Sequence, residues 1–128
     1  MNRYQISSRQ IDIFVTGALD PNILNSLFET IARDRGFRCD LKQFWHFEAV
    51  DCANFQLASL PALGLALDED RAEPYPQVAF IADTDLLFGL CRVYAGWVGG
   101  KPIDVGVFRS YDDALAWAYP ADESQRSA

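Results

Sequence analysis

Two short segments carry side chains that could perform acid–base chemistry or bind a divalent metal. Both segments follow predicted strands of a parallel sheet, so they are expected at its carboxyl edge, where ligands commonly bind. A site there requires the imidazole and the carboxylates to approach one another closely enough for hydrogen bonding or for one bridging atom. The side chains concerned are one imidazole, four carboxylates and one thiol: His46, Glu48, Asp51, Cys52, Asp83 and Asp85.

Each of these residues also has a purely structural interpretation. Asp83 and Thr84 precede a predicted helix and are suited to cap it. His46 lies in a strand rich in aromatic residues, where it can simply be packed or exposed. His46 could act as a base and Cys52 as a nucleophile. However, cysteine is often a small buried hydrophobe, and no oxyanion-hole motif accompanies the pair. We therefore expect no enzymatic activity, no metal and no cofactor.

The last third of the chain predicts the elements that position these segments. Apolar runs over 77–82 and 103–108 predict two strands, and 86–98 predicts the helix between them. Ser110 resembles the start of a capping box for a last helix, which Pro120 ends. A strand–helix–strand unit requires a parallel pair with a right-handed crossover, so the sequence predicts an α/β fold.

The amino-terminal half predicts three more strands and a helix. Within 10–16, isoleucine and valine alternate with residues that include Asp12, so one face of this strand should be more buried. A helix begins at Asp20–Pro21, because aspartate caps and proline fits the first turn, and Gly36 is expected to end it. The three strands are expected over 4–8, 10–16 and 39–47.

The segment 54–70 predicts a further helical region, interrupted by Pro61. This helix either begins near Ser59, with Pro61 in its first turn, or bends at the proline. We expect the later start. We then expect one domain over residues 1–122 and a frayed tail over 123–128.

Composition and charge exclude several classes of function. The 128 residues are 50% apolar, which is enough to bury a core in one domain. Eighteen acidic against eleven basic residues give a net charge of −7, which opposes binding to nucleic acid or to anionic membranes. The amino-terminus has no signal-type apolar run, and the helix over 86–98 is too short to span a bilayer. We expect a soluble protein without an integral membrane segment.

The cysteines favour a reducing compartment. Cys39, Cys52 and Cys91 are odd in number, and no pair of them has CxxC spacing. A disulfide framework and a zinc site are therefore both unexpected. The cytoplasm is the expected location.

The helix over 86–98 has a wider apolar arc than one sheet face requires. At 100° per residue, its core stripe contains Leu87, Leu90, Cys91, Tyr94 and Val98. A second apolar stripe of Leu86, Val93 and Trp97 lies about a quarter turn away, and Gly89 and Gly96 occupy the outer arc. Either this second stripe packs on a neighbouring helix, or it is exposed as a surface for a partner or a lipid.

With these motifs in place, the chain resembles the SpoIIAA-like branch of the STAS superfamily over nearly its whole length. The resemblance is best at residues 77–82, 86–94 and 107–117. It implies an α/β SpoIIAA-like fold, a mixed, mainly parallel five-stranded sheet with about four helices mostly on one face. This fold is also similar to the lipid-binding CRAL-TRIO domain.

The resemblance implies a binding or regulatory domain and no catalytic residues. The best-understood relatives switch partners by phosphorylation of a serine in an Asp-Ser motif at a helix start. The comparable place here reads Val-Asp-Cys-Ala over 50–53, so Cys52 stands where the serine is needed and the switch is missing.

Two hypotheses for function follow. The first is a non-enzymatic regulatory or protein-interaction module for an unknown partner, able to form a homodimer through Leu86, Gly89, Val93, Gly96 and Trp97. The second is a pocket for a small apolar or lipid-like ligand between helix 86–98, the last helix and the sheet, with walls from Phe88, Tyr94, Trp97 and Trp117.

Overall fold

The protein is built on one five-stranded sheet in which the strands lie side by side in chain order. The computed structural model describes residues 2–38, 40–52, 77–97 and 104–120. Strand β1 pairs antiparallel with β2, and every later neighbour pairs in parallel, which confirms the predicted mixed, mainly parallel sheet. The elements are β1 Arg3–Ile6, β2 Gln10–Ala18, α1 Pro21–Arg33, β3 Lys42–Asp51, β4 Gln77–Ala82, α2 Asp85–Trp97, β5 Asp104–Phe108 and α3 Tyr111–Ala118.

The described residues contain three helices, against about four expected. The predicted helix over 54–70 and the predicted tail over 123–128 lie outside the described residues. Within the described residues, no helix has both the length and the apolar character needed to cross a membrane.

Helix α1 begins as predicted and ends earlier than predicted. The Asn22 N–H donates to Asp20 Oδ1 at 2.8 Å, and Pro21 occupies the first turn. The helix ends at Arg33 rather than at Gly36, because Asp34 terminates it. The Asp34 carboxylate accepts one hydrogen bond from the Gly36 N–H at 2.8 Å and one from the Tyr4 hydroxyl at 2.7 Å, so it ties the helix end to β1.

Strands β2 and β3 both continue past their predicted ends through a β-bulge. Val15 pairs with Phe47 but Gly17 pairs with Val50, so β3 contains one residue more than β2 across this stretch. Gly17 and Ala49 have φ angles of +82° and +49°, and this backbone geometry accommodates the extra residue. Gly17 therefore lies inside β2 rather than ending it, and β3 runs to Asp51.

The first face of the sheet carries the larger core, beneath α1 and α2. Trp45 lies at its centre, with its ring centroid 4.7 Å from that of Phe28 on α1. The indole N–H donates to the buried Gln43 Oε1 at 3.1 Å, so these two polar groups satisfy each other. The buried members are Ile11, Ile13, Val15, Leu24, Phe28, Ile31, Leu41, Trp45, Phe47, Val78, Phe80, Ala82, Leu87, Cys91 and Tyr94.

The second face is covered by α3, so two of the three described helices share one face. Ser110 begins α3 as predicted, because its Oγ accepts from the Asp113 N–H at 3.2 Å. Gly106 on β5 permits close packing, since a Cβ there would lie 2.6 Å from the Phe108 ring. The buried members of this smaller core are Phe44, Ala79, Ile81, Ala114 and Ala118.

Candidate functional site

Helix α2 is held to the first face by a cap and by an apolar inner side. The Leu87 N–H donates to Thr84 Oγ1 at 3.3 Å, which confirms the structural interpretation of Thr84. Leu87, Cys91 and Tyr94 are buried against the sheet, as the predicted core stripe requires. Leu90 of the same predicted stripe is half-buried and Val98 lies outside the described residues, so three of the five predicted core positions are buried.

The outer side of α2 leaves apolar side chains in solvent. Leu86 is 62% exposed and Val93 is 49% exposed. At these two residues, the second apolar stripe is therefore exposed rather than packed on a neighbouring helix. An added Cβ at Gly89 or Gly96 would have no non-neighbouring atom within 4 Å, so open space lies above both glycines. Trp97 is the last residue of α2, and its side chain lies outside the described part of the structure.

Next to this surface, an open groove of about 520 Å³ runs between α2 and the edge strand β5. One end carries Arg109, whose guanidinium lies 4.2 Å from the Phe88 ring centroid and pairs with Asp85 at 2.8 Å. Arg92 is exposed on the groove wall, and no ion pair or hydrogen bond to another described residue engages it. The residues that line the groove are Phe88, Arg92, Ala95, Gly96, Val105 and Val107.

The predicted pocket between α2, α3 and the sheet is wrong in its composition. Phe88 and Tyr94 belong to the first face, whereas Trp117 packs with Phe108 on the second face at a centroid distance of 5.3 Å. The sheet separates these walls, so they cannot enclose one ligand. Burial of Tyr94 in the core also raises the pKa of its hydroxyl. Of the predicted wall residues whose side chains are described, only Phe88 lines the groove.

His46 belongs to a polar cluster on the second face of the sheet, whereas the sequence analysis considered it for a site at the carboxyl edge. It lies within β3, shares the second face with Phe44, and is 9% exposed. His46 Nε2 lies 2.9 Å from Asp12 Oδ1, and an ionised carboxylate only accepts, so Nε2 carries the hydrogen. The imidazole stacks on Phe14 at 4.5 Å and meets the edge of Tyr111 at 4.6 Å.

Asp12 is held in this cluster by several donors. Gln10 Nε2 donates to Asp12 Oδ2 at 2.9 Å and lies 2.8 Å from the Tyr111 hydroxyl, and Tyr119 donates to Gln10 Oε1 at 2.7 Å. Burial acts to raise the pKa of Asp12, but hydrogen bonds from His46, Gln10 and Tyr111 outweigh it and hold that pKa below its usual value. The cluster therefore joins β2, β3 and α3 through satisfied polar contacts.

The convergence of His46 with Glu48 and Asp83, which an acid–base site would require, is not found. Strand alternation turns the His46 side chain onto the second face, where it pairs with Asp12 of the neighbouring strand β2. Glu48, Asp51 and Asp83 are exposed, and Asp85 is exposed and bound to Arg109. Within the described ranges, no three His, Cys, Asp or Glu side chains are grouped so that they could hold a metal ion.

Cys52 is not the nucleophile of a pair with His46. Cys52 is buried and lies close enough to Cys91 to influence it, whereas His46 lies on the opposite face. Burial and, secondarily, Cys52 raise the pKa of the Cys91 thiol to about 12. Both are free thiols in the described part of the chain, and their burial favours the packing interpretation.

Sequence reasoning missed Asp12, Tyr111 and Arg92 as members of these two sites. A signal existed for Asp12, because the alternation that buries Ile11 and Ile13 on one face turns Asp12 onto the other. No comparable signal existed for Tyr111, which reaches His46 only through the packing of α3. Arg92 follows Gly89 by three residues and therefore shares the outer arc of its helix, but the groove beside it depends on β5.

No protein-family profile and no curated protein matches the sequence. Among solved structures, the chain is similar to an uncharacterised protein of the DUF3478 family with a SpoIIAA-like fold from Shewanella loihica PV-4. The two share 17% sequence identity with a TM-score of 0.49, and the alignment covers 92% of each chain.

Proposed function

We propose that this chain is a non-enzymatic, cytoplasmic protein-interaction module that self-associates through the outer side of α2. We define the α2 surface as Leu86, Gly89, Val93 and Gly96. The observation that carries the proposal is the exposure of two large apolar side chains on one helix, 62% for Leu86 and 49% for Val93. Exposed apolar residues that cluster are typical of interaction surfaces, whereas isolated ones need no explanation.

The two glycines support the same proposal. A glycine inside a helix costs about 1 kcal/mol relative to alanine. Neither Gly89 nor Gly96 accommodates an intramolecular neighbour, because an added Cβ would meet no non-neighbouring atom within 4 Å. Packing within the described chain therefore gives no reason for these residues. Close approach of another backbone to α2 does give one.

A second copy of the chain is the occupant that fits this surface best. The four residues of the α2 surface carry no charge, so a highly charged partner would find little to pair with. An identical stripe offers complementary apolar contact in a two-fold arrangement. Because 13 residues of helix span only about 20 Å, the interface is smaller than the roughly 800 Å² per partner of a stable complex. We expect weak, concentration-dependent dimerisation.

The regulation of such a dimer would not use the serine phosphorylation known in better-understood SpoIIAA-like proteins. Cys52 stands at the comparable place, and it is buried. Control through concentration or through a competing partner is compatible with the α2 surface. The predicted participation of Trp97 in the interface remains a prediction.

The test compares Val93→Glu with Ile23→Glu by sedimentation velocity over a range of protein concentrations. Val93 on α2 and Ile23 on α1 are both 49% exposed, so the two substitutions are matched in burial and in added charge. We expect the wild type and Ile23→Glu to dimerise with the same affinity, and Val93→Glu to stay monomeric. A wild-type monomer at every concentration, or equal loss in both variants, would overturn the proposal.

Gly89→Ala provides a second test with two opposite readouts. The substitution should stabilise the folded monomer by about 1 kcal/mol, because alanine is the better helix former. It should also weaken dimerisation, because the added methyl group occupies the space that the partner needs. Urea denaturation of dilute protein measures the first effect and sedimentation measures the second. A variant that is more stable and dimerises normally would contradict the close-approach argument.

A further inference from the structure

The groove between α2 and β5 combines apolar walls with one cation, Arg92, that forms no ion pair or hydrogen bond with another described residue. Its apolar lining comes from Phe88, Ala95, Val105 and Val107. Arg92 is the charged residue among its described lining residues. An apolar channel next to an unpaired charge is suited to a molecule that has a greasy part and an oppositely charged end.

We propose that this groove binds a single-chain amphiphile with a carboxylate head group, and that Arg92 binds the carboxylate. The guanidinium presents its N–H groups as a planar fork, which matches the two oxygens of a carboxylate. The acyl chain lies along the apolar walls, where each buried methylene contributes about 0.8 kcal/mol.

Charge distribution favours Arg92 over its neighbour Arg109 as the partner of the head group. Arg109 is already engaged, since it stacks over Phe88 at 4.2 Å and pairs with Asp85 at 2.8 Å. No described side chain neutralises Arg92, although the protein carries a net charge of −7 and is rich in carboxylates. The carboxylate of a ligand would provide the missing partner.

The size and shape of the groove agree with this class of ligand. A volume of about 520 Å³ is within the range of small-molecule sites, roughly 300 to 1,000 Å³. The groove is open along one side, so a slender chain can enter laterally without any movement of the sheet. Its walls come from one helix and one strand, which hold it ready for binding.

This site is distinct from the proposed dimer surface, although the two share one residue. Gly96 borders both, whereas Leu86 and Val93 do not line the groove. Val93→Glu should therefore abolish dimerisation and leave binding of the amphiphile unchanged. Failure of one proposal thus does not imply failure of the other.

The experiment measures binding of dodecanoate, below its micelle concentration, by isothermal titration calorimetry. We expect one dodecanoate per chain, and an affinity about tenfold or more weaker in Arg92→Gln, because a charge-assisted contact is lost. Arg33→Gln is the control, since Arg33 is exposed on α1, away from the groove. That variant should bind as the wild type does.

Two further ligands separate the contributions of head group and chain. Dodecanol has the same chain without the charge and should bind more weakly to the wild type, but equally to the wild type and Arg92→Gln. Acetate lacks the chain and should not compete with dodecanoate at equal concentration. Absence of dodecanoate binding, an unchanged affinity in Arg92→Gln, or equal affinities for dodecanol and dodecanoate would overturn the proposal.

Discussion

Helices α1 and α2 have equal length and lie on the same face of the sheet, but their outer sides differ. Each has 13 residues and buries three side chains against the strands. The outer side of α1 is polar, with Asn22, Ser26, Glu29 and Arg33 exposed and Ile23 as its one large exposed hydrophobe. Among the described side chains, the outer side of α2 has two large exposed hydrophobes and two glycines, and a groove lies beside it.

The fold requires the buried inner sides of both helices, but it does not require the exposed apolar residues on the outer side of α2. Burial of an inner stripe is sufficient to attach a helix to a sheet, and both helices meet that requirement. The outer side of α1 meets the solvent mainly with polar side chains. The outer side of α2 carries the exposed charges of Asp85 and Arg92, but it also exposes Leu86 and Val93, and both proposals therefore concern α2.

The largest expected effect tests whether the inner sides of α1 and α2 contribute equally to stability. Leu24 on α1 and Leu87 on α2 are both buried, so Leu24→Ala and Leu87→Ala should each lower the free energy of unfolding by about 2–5 kcal/mol. Urea denaturation of the two variants measures the effect. A cost below about 1 kcal/mol for Leu87→Ala alone would mean that α2 is attached loosely, and the comparison with α1 would fail.

An intermediate effect concerns the helix starts. Asp20 caps α1 and Thr84 caps α2, each by accepting a hydrogen bond from a backbone N–H of the first turn. Asp20→Ala and Thr84→Ala should each cost about 1 kcal/mol. Asp20→Asn and Thr84→Ser, which keep a side-chain oxygen, serve as controls and should retain most of the stability. Loss of stability in the controls equal to that in the alanine variants would contradict the capping role.

The smallest expected effect is on the stability of the protein in acid, to which the carboxyl group at the end of α1 should contribute. Hydrogen bonds from Tyr4 and the Gly36 N–H hold the pKa of Asp34, at the end of α1, below its usual value of 3.8. A carboxyl group with a lower pKa when folded binds fewer protons in the folded state. Its contribution to stability is therefore complete above pH 3.8 and is lost as pH falls through the lower, folded pKa.

Asp34→Asn tests this prediction, because the amide oxygen can still accept from the Gly36 N–H and the amide NH2 can donate to the Tyr4 hydroxyl, but the group does not ionise in this range. We expect the urea midpoint of the variant to fall less than that of the wild type between pH 6 and pH 3. Asp12 also has a lowered pKa but is present in both proteins, so its effect cancels. Identical acid dependence would show that the Asp34 contact does not contribute to stability.

Local features of the fold were predictable from the sequence, because they depend on neighbouring residues. The caps at Asp20 and Ser110 and the strand–helix–strand unit at the end of the chain are of this kind. The β-bulge was not predictable, since Ala49 adopts a positive φ without the glycine or asparagine that usually marks such a position. Pairing resumes beyond the bulge, so β2 and β3 both continue past their predicted ends, while β3 begins at Lys42 rather than at residue 39.

The candidate sites were predictable only in part, because they depend on which strands become neighbours. The exposed side of α2 follows from 100° per residue and was expected. The contact of His46 with Asp12, 34 residues away, requires the register of β2 against β3, which no local pattern reveals. The groove requires Val105 and Val107 of β5 to lie beside α2, and this too is a tertiary result.

The position of α3 has a consequence for how each new copy of the protein is made. Among the described elements, α3 comes last and is the one helix that covers the second face. During translation α3 therefore becomes available to cover Phe44, Ala79 and Ile81 only after all five strands have been synthesised. At about 5–20 residues per second, the ten residues after β5 add about one second to this interval. Until α3 docks, that helix shields none of this aromatic and aliphatic surface from chaperones or from other nascent chains.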